Sequence, residues 1–355
     1  MGRPLINFLA KEGHTVAVTS RTQHISNCDT VSYICGNGHD ISFLRQLLER
    51  QCSFDAVVDF MVYHTEELRE RLEMLLANTK QYIFLSSSRV YADAHGPITE
   101  SSARLLDTST DSLYLKTEEY ALTKARQENL LRQSGRENWT IIRPYITYNV
   151  NRLQLGVFEK ESWLYRALNG RTIVFPRDIA KKKTTVTYGA DVARGIAALI
   201  GNQKAYGATV HITAPEPLRW DDILGIYLDT IEAQTGSRPP VVYSPASKWL
   251  IDVKKDYEVV LYDRLYDRYF DNTRFYELCG YQPAFLPAEE GLKRCLTEFL
   301  REGDGFQRLH WKYEAYVDRM VGEHTPLKEI PTMGKKWRYL KKRYLSWERT
   351  KWMHV

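Results

Sequence analysis

The sequence predicts an α/β fold: a doubly wound parallel sheet with helices on both faces. Three observations predict it. Short apolar, β-branched runs alternate with helical runs over the first 150 residues. Those runs are hydrophobic end to end, as strands buried on both faces are. No tract of about 20 apolar residues breaks the pattern, and 43% hydrophobic with 26% charged residues is ordinary for a globular chain.

Arg3 to Glu12 sets Leu5, Ile6 and Leu9 on one helical face, and Lys11-Glu12-Gly13 supplies a stop. TVAVT at Thr15–Thr19 is a strand, followed by a strand at Val31–Cys35 and a helix at Phe43–Leu48. Phe54–Tyr63 reads as a strand, Glu66–Ala77 as a helix and Gln81–Leu85 as a strand. A long helix runs from about Thr117 to Gln133 before the strand Trp139–Arg143. Beyond Pro144 the rhythm loosens into a helix at Glu161–Leu168, a strand at Thr172–Phe175, a helix at Asp191–Ile200 and a strand at Thr209–Thr213. Helices follow at Trp220–Gln234 and Pro287–Leu300. The chain therefore divides into a first region, 1–150, to which 184–213 return. A smaller C-terminal α/β region spans 151–183 and 214–304, and a basic, aromatic appendage spans 305–355.

The net charge of +5 is unevenly placed. Residues 335–355 hold eight Lys or Arg against one Glu, which leaves the rest of the chain slightly negative. The five cysteines, Cys28, Cys35, Cys52, Cys279 and Cys295, are odd in number and lack CxxC spacing. They read as reduced thiols of a cytoplasmic protein rather than a metal knuckle or a disulfide frame.

The chain opens MGRPLINFLAKEGHTVAVTSR, with a helix before its first strand. In dinucleotide-binding βαβ units a strand and a glycine-rich turn precede that helix, and the pyrophosphate sits on its N-terminus. Gly2 stands where the third glycine of such a turn would be. The first strand and most of the turn, about ten residues, are missing from this chain. The expectation is a mis-assigned or truncated start and poor dinucleotide binding by the chain as it stands. The alternative is a degenerate protein that no longer takes a dinucleotide.

The strongest chemical signal is EYALTKARQENLL at Glu119–Leu131. Tyr120 and Lys124 are four residues apart and share a helix face. A phenol titrates near 10, so it needs a neighbouring cation to act as a base at neutral pH. Upstream, QYIFLSSSRVYADAHGPITE is a buried strand ending in three serines. A hydroxyl such as that of Ser87, at the carboxyl end of a parallel strand, stands where open α/β sheets place their ligands.

Strand-SSS, then YxxxK, then the strand WTIIRP resembles the extended short-chain dehydrogenases/reductases, the branch of NAD(P)-dependent nucleotide-sugar epimerases and dehydratases. The resemblance spans Gly2 to Leu300 through GRPLINFLAKEGHTV, FLSSSRVYADAHGPITE, YALTKARQE, IIRP, TYGADVARGIAALI and DNTRFYELCGYQP. It implies a Rossmann-like first region, a substrate-binding C-terminal region and hydride transfer between a sugar carbon and NAD or NADP. Ser87 falls at the catalytic Ser/Thr position, Tyr120 at the acid/base and Lys124 at its partner, which also holds the nicotinamide ribose. Gly2, Arg21, Asp40 and Pro144 fall at cofactor-binding positions. Arg21, where NAD-binding members carry an acid, tilts the cofactor towards NADP, and Asp40 matches the position beside adenine. The resemblance further implies a nucleotide-sugar substrate, a homodimer and a place in surface polysaccharide biosynthesis.

Departures narrow this. Ser88-Arg89 stands where dehydratases carry an Asp-Glu pair, so 4,6-dehydration is not expected. Ile146 replaces an epimerase Asn, Ala92 a Gly, and Thr184, next to Lys183, an Arg that reaches nucleotide phosphates. Tyr63 and His64 end another strand and are weaker candidates to line the nicotinamide site, as are Asp93 and His95 in the loop after the serines. The tail 335–355 interleaves cations with Trp337, Tyr339, Leu340, Tyr344, Leu345, Trp347 and Trp352. It reads either as a helix docked by its aromatic side or as a contact with the inner face of a membrane, with nucleic acid a weaker third choice. The competing class is an inactive scaffold of this superfamily that binds nucleic acid or a protein partner.

Overall fold

The computed structural model describes residues 1–50, 54–254 and 257–345. Cys52 and the tail beyond Leu345, with Trp347 and Trp352, lie outside the described residues. The chain forms two compact units: Met1–Tyr148 with Lys183–Leu218 and Tyr266–Gly291, and Asn149–Lys182 with Arg219–Leu265 and Leu292–Val355.

The first unit is the α/β one. Its elements are α1 (Gly2–Lys11), β1 (Val16–Ser20), β2 (Val31–Cys35), α2 (Ile41–Arg50), β3 (Phe54–Asp59), α3 (Thr65–Ala77) and β4 (Thr79–Leu85). There follow α4 (Tyr120–Arg132), β5 (Trp139–Pro144), α5 (Gly189–Leu199), β6 (Ala208–Ile212) and α6 (Thr273–Cys279). Every strand pairing among them is parallel. One sheet has the order β6-β5-β4-β3, with Val58 opposite Ile83, Ile83 opposite Thr140 and Val210 opposite Ile142. β1 and β2 form a second, two-stranded sheet.

Strand alternation explains why helices cover both faces. Ile83 and Leu85 of β4, with Ile142 of β5 and Ile212 of β6, pack beneath Leu5 and Leu9 of α1 and Val192, Ile196 and Leu199 of α5. Tyr82 and Phe84, one residue out of phase, pack with Ile141 beneath Leu68, Leu72 and Leu75 of α3 and Leu131 of α4. At Gly195 a Cβ would lie 2.9 Å from both Ile212 and Phe275, so α5 approaches β6 and α6 closely enough to exclude a side chain there.

Two boundaries differ from the sequence reading by three residues or more. The strand expected to reach Tyr63 stops at Asp59, because its carboxylate accepts from the Met61 amide at 2.8 Å and turns the chain. The helix expected from Thr117 starts at Tyr120, because Glu119 caps it by accepting from the Ala121 amide at 2.8 Å. Two one-turn helices, Leu105–Thr108 and Ser112–Leu115, were not legible in the long loop before α4.

In the second unit the strands Ile173–Pro176 and Val241–Ser244 pair in parallel. Helix Lys160–Leu168 carries Trp163, whose indole stacks on Tyr227 of helix Trp220–Thr235 at 4.4 Å. Helices Trp311–Val321 and Met333–Leu340 belong to this unit, and Trp311, Ala315, Ile330 and Tyr339 bury against Tyr165. No helix among the described residues is long and apolar enough to cross a membrane.

Candidate functional site

The expected site residues all lie at strand carboxyl ends or helix amino ends of the first unit, the edge where parallel sheets bind ligands. Ser87 follows β4, Tyr120 opens α4, Pro144 ends β5 and Arg21 follows β1. Gly2 opens α1, and Asp40 precedes α2, whose Ser42 and Phe43 amides donate to its carboxylate at 2.8 and 3.3 Å. Arg21 and Asp40 are exposed, and Ser87 is buried.

The candidate groups gather at the end of β4 and the first turns of α4. Lys124 is only 2% exposed, with its ammonium 4.5 Å from the centre of the Phe84 ring. Tyr120, one turn earlier on the same helix, is 37% exposed. The Arg89 guanidinium lies 5.5 Å from the centre of the Tyr120 ring and donates to Glu119 at 2.6 Å. The backbone amide of Arg89 donates to the Ser87 hydroxyl at 3.2 Å, which ties the serine to the same turn. One amine, one phenol and one alcohol thus share the junction of a single strand and a single helix.

Burial tunes this amine. Desolvation pulls the Lys124 ammonium down to about 8, and the negative charges of Asp59 and Glu128 hold it up against a larger fall. Asp59, at the end of β3, is fully enclosed, and burial raises its carboxyl above the usual range despite the 2.7 Å hydrogen bond donated by the Tyr82 hydroxyl. Burial also raises the Tyr63 phenol, and Arg71 lies over that ring at 4.5 Å. Tyr63 and His64 are tied into the fold: Gln127 of α4 donates to both their carbonyls, and His64 caps α3. Asp93 and His95 are exposed.

Glu128, two turns beyond Tyr120, holds the junction together. It accepts from the Ser86 hydroxyl at 2.7 Å and from Arg143 of β5 at 2.7 and 2.6 Å, while Ser88 donates to the Arg143 carbonyl at 2.8 Å. Arg143 and its neighbours keep the Glu128 carboxyl below its ordinary range in spite of complete burial. The sequence reading missed Glu128, and it noted Arg89 only as a departure from the dehydratase pair. The first was signalled by the i, i+4, i+8 series Tyr120, Lys124, Glu128. The second was signalled by a cation two residues after Ser87, with an acid just before the tyrosine.

The residues fit a nicotinamide dinucleotide. No side chain caps α1, and nothing lies within 4 Å of where a Gly2 Cβ would stand; an uncapped helix amino end is the kind of place a phosphate takes. Gly2, Arg21 and Asp40 would hold the adenosine and phosphate end, and Pro144, Tyr120 and Lys124 the nicotinamide end.

A family model, the NAD dependent epimerase/dehydratase family, matches residues 1–212. No curated protein sequence matches the chain. Among solved structures, a dTDP-glucose 4,6-dehydratase from Bacillus anthracis str. Ames in complex with NAD is similar. It has a TM-score of 0.64 and 12% identity over 86% of this chain and 94% of that one. WbmH of Bordetella bronchiseptica in complex with NAD+ gives 0.62 and 13% over 85% and 95%. MoeE5 in complex with UDP-glucose and NAD gives 0.58 and 17% over 84% and 95%. At these identities the likeness is one of fold.

Proposed function

This chain belongs to the NAD dependent epimerase/dehydratase family, and we propose that it is an NAD(P)-dependent epimerase or ketoreductase of a nucleotide-activated sugar. The observation that carries the reading is the buried Lys124 one turn from the exposed Tyr120, beside the turn that carries Ser87. A surface helix gains nothing by enclosing an ammonium. A site that needs a phenol to exchange protons near neutral pH does.

In this reading Tyr120 Oη takes the proton of the reacting sugar hydroxyl and returns it in the reverse direction. The Ser87 hydroxyl hydrogen-bonds the same sugar oxygen and orients it. Lys124 stabilises the phenolate and binds the nicotinamide ribose. A bound nicotinamide supplies the hydride acceptor or donor. Arg89, paired with Glu119 over the Tyr120 ring, puts a cation where elimination needs an acid/base pair, which confines the chemistry to hydride transfer. The C-terminal region at 151–183 and 214–304 is assigned the sugar, the enzyme a homodimeric cytoplasmic form, and its product a use in surface polysaccharide. Arg21, exposed after β1, favours NADP.

The test is turnover of UDP-, GDP-, CDP- and dTDP-sugars with each cofactor, by wild type and by Tyr120→Phe. The expected result is at least one substrate turned over, a loss of about 10²- to 10⁴-fold in the variant, and unchanged thermal unfolding. Equal rates in both proteins would remove Tyr120 from its role. Binding of neither cofactor at any concentration, as opposed to the weak binding expected, would favour the scaffold reading.

A further inference from the structure

Helix Met333–Leu340 runs on through a further turn, Lys341–Leu345, and its two sides differ sharply. The inner side is fixed. The Tyr339 hydroxyl donates to Asp318 at 2.6 Å and accepts from the Thr325 amide at 2.8 Å, Leu340 packs beside it, and Arg343 donates twice to the Glu323 carbonyl. The outer side carries Met333, Trp337, Tyr344 and Leu345, which are 77%, 61%, 60% and 66% exposed. Spacings of four and seven residues stack the first three along one face. Lys335, Arg338 and Lys341 are exposed around them, and Lys341 lies over the Trp337 ring at 5.3 Å. No acidic residue occurs between Ile330 and Leu345.

Folding has therefore used one aromatic, Tyr339, and left a larger one in water among cations. We propose that this outer face is an interfacial anchor that lies on an anionic lipid surface. Trp337, Met333 and Leu345 enter the headgroup boundary, and Lys335, Arg338 and Lys341 meet lipid phosphates. The argument is one of charge and shape, and it rests on nothing in the proposed active site. Six cations within 335–343 and no acid complement an anionic surface. A convex face with aliphatic Met333 and Leu345 beside its rings suits acyl chains, whereas base stacking uses flat aromatic platforms in a groove.

The full chain is tested by co-sedimentation with phosphatidylcholine vesicles, alone and with one third phosphatidylglycerol, at low and high salt. Tryptophan emission is recorded alongside. The expected result is binding to the anionic vesicles only, with a blue shift, weakening about tenfold or more at high salt. Trp337→Ala is expected to abolish most of the blue shift. The triple change Lys335→Glu, Arg338→Glu, Lys341→Glu is expected to lower partitioning by at least about tenfold, and both variants are expected to melt like wild type. Equal binding to neutral vesicles, wild-type behaviour of Trp337→Ala, or displacement from vesicles by single-stranded RNA would each overturn the proposal.

Discussion

The two units are each built round a buried ionic hub, and the hubs are opposites. In the first, one anion, Glu128, is met by three cations: Arg143 at 2.6 Å, Arg104 at 3.1 Å and Arg132 at 3.4 Å. In the second, one cation, Arg166, is met by three anions, Glu314, Asp318 and Glu323, each at 2.8 Å. What differs is the fate of the surplus charge. Arg104 also reaches Asp107, and Arg132 is partly exposed, so the first hub vents its excess. Glu314 is fully enclosed, with Oε1 lacking a hydrogen-bond partner, and burial pushes its carboxyl up to about 7. Glu128 and Glu314 are both fully buried, so the cations and hydrogen bonds that meet each carboxylate, more than its burial, decide which stays ionised.

The sharpest way to break this comparison is Glu128→Ala. It strands Arg143 without its partner in a dry interior, and a loss of about 3–5 kcal/mol is expected in urea unfolding. A loss below about 1 kcal/mol would show the hub to be ornamental.

Lys124→Met comes next and runs the other way. The folded state lowers this ammonium to about 8 from an ordinary 10.5, so its burial is a penalty that builds as pH falls from the ordinary lysine range to about 8 and is fully present below that. Removing it is expected to raise stability at pH 7 by about 1–3 kcal/mol and to abolish turnover. An unchanged or lower melting temperature would contradict the desolvation account.

The smallest effect sharpens the second hub. The Glu314 carboxyl is raised in the folded state, so its contribution is present at and below the ordinary carboxylate range and is lost as pH climbs to about 7. Glu314→Gln is expected to remove that dependence, narrowing the difference in melting temperature between pH 5 and pH 8. Asp318, lowered despite burial by its bonds to Tyr339, Arg166 and Thr325, titrates below that window and leaves the test clean. An unaltered pH slope would place the titration elsewhere.

Much of the fold was legible because its signals are local. The alternation of runs such as TVAVT and QYIFL with periodic helices specifies parallel strands under helices, and the strands and helices fall within a few residues of those positions. The misplaced ends have local causes that periodicity does not register: the Asp59 carboxylate turns one strand, and the Glu119 cap starts one helix. The candidate site was legible as a spacing, since Tyr120 and Lys124 are one turn apart. Its electrostatics were not, because Arg89 meets Glu119 across 30 residues and Arg166 meets Glu314 across 148.

The sequence by itself determined the order and kind of the elements, the phenol and amine on one helix, and a cationic, aromatic C-terminal stretch, since each depends on neighbours within a few turns. Only the tertiary structure decided that Lys124 is dry while Tyr120 is wet, that Glu128 and Arg166 anchor opposite hubs, and that Tyr339 faces in while Trp337 faces out. The physical reason is that desolvation and charge pairing depend on what surrounds a group in space, and those surroundings come from segments far apart along the chain.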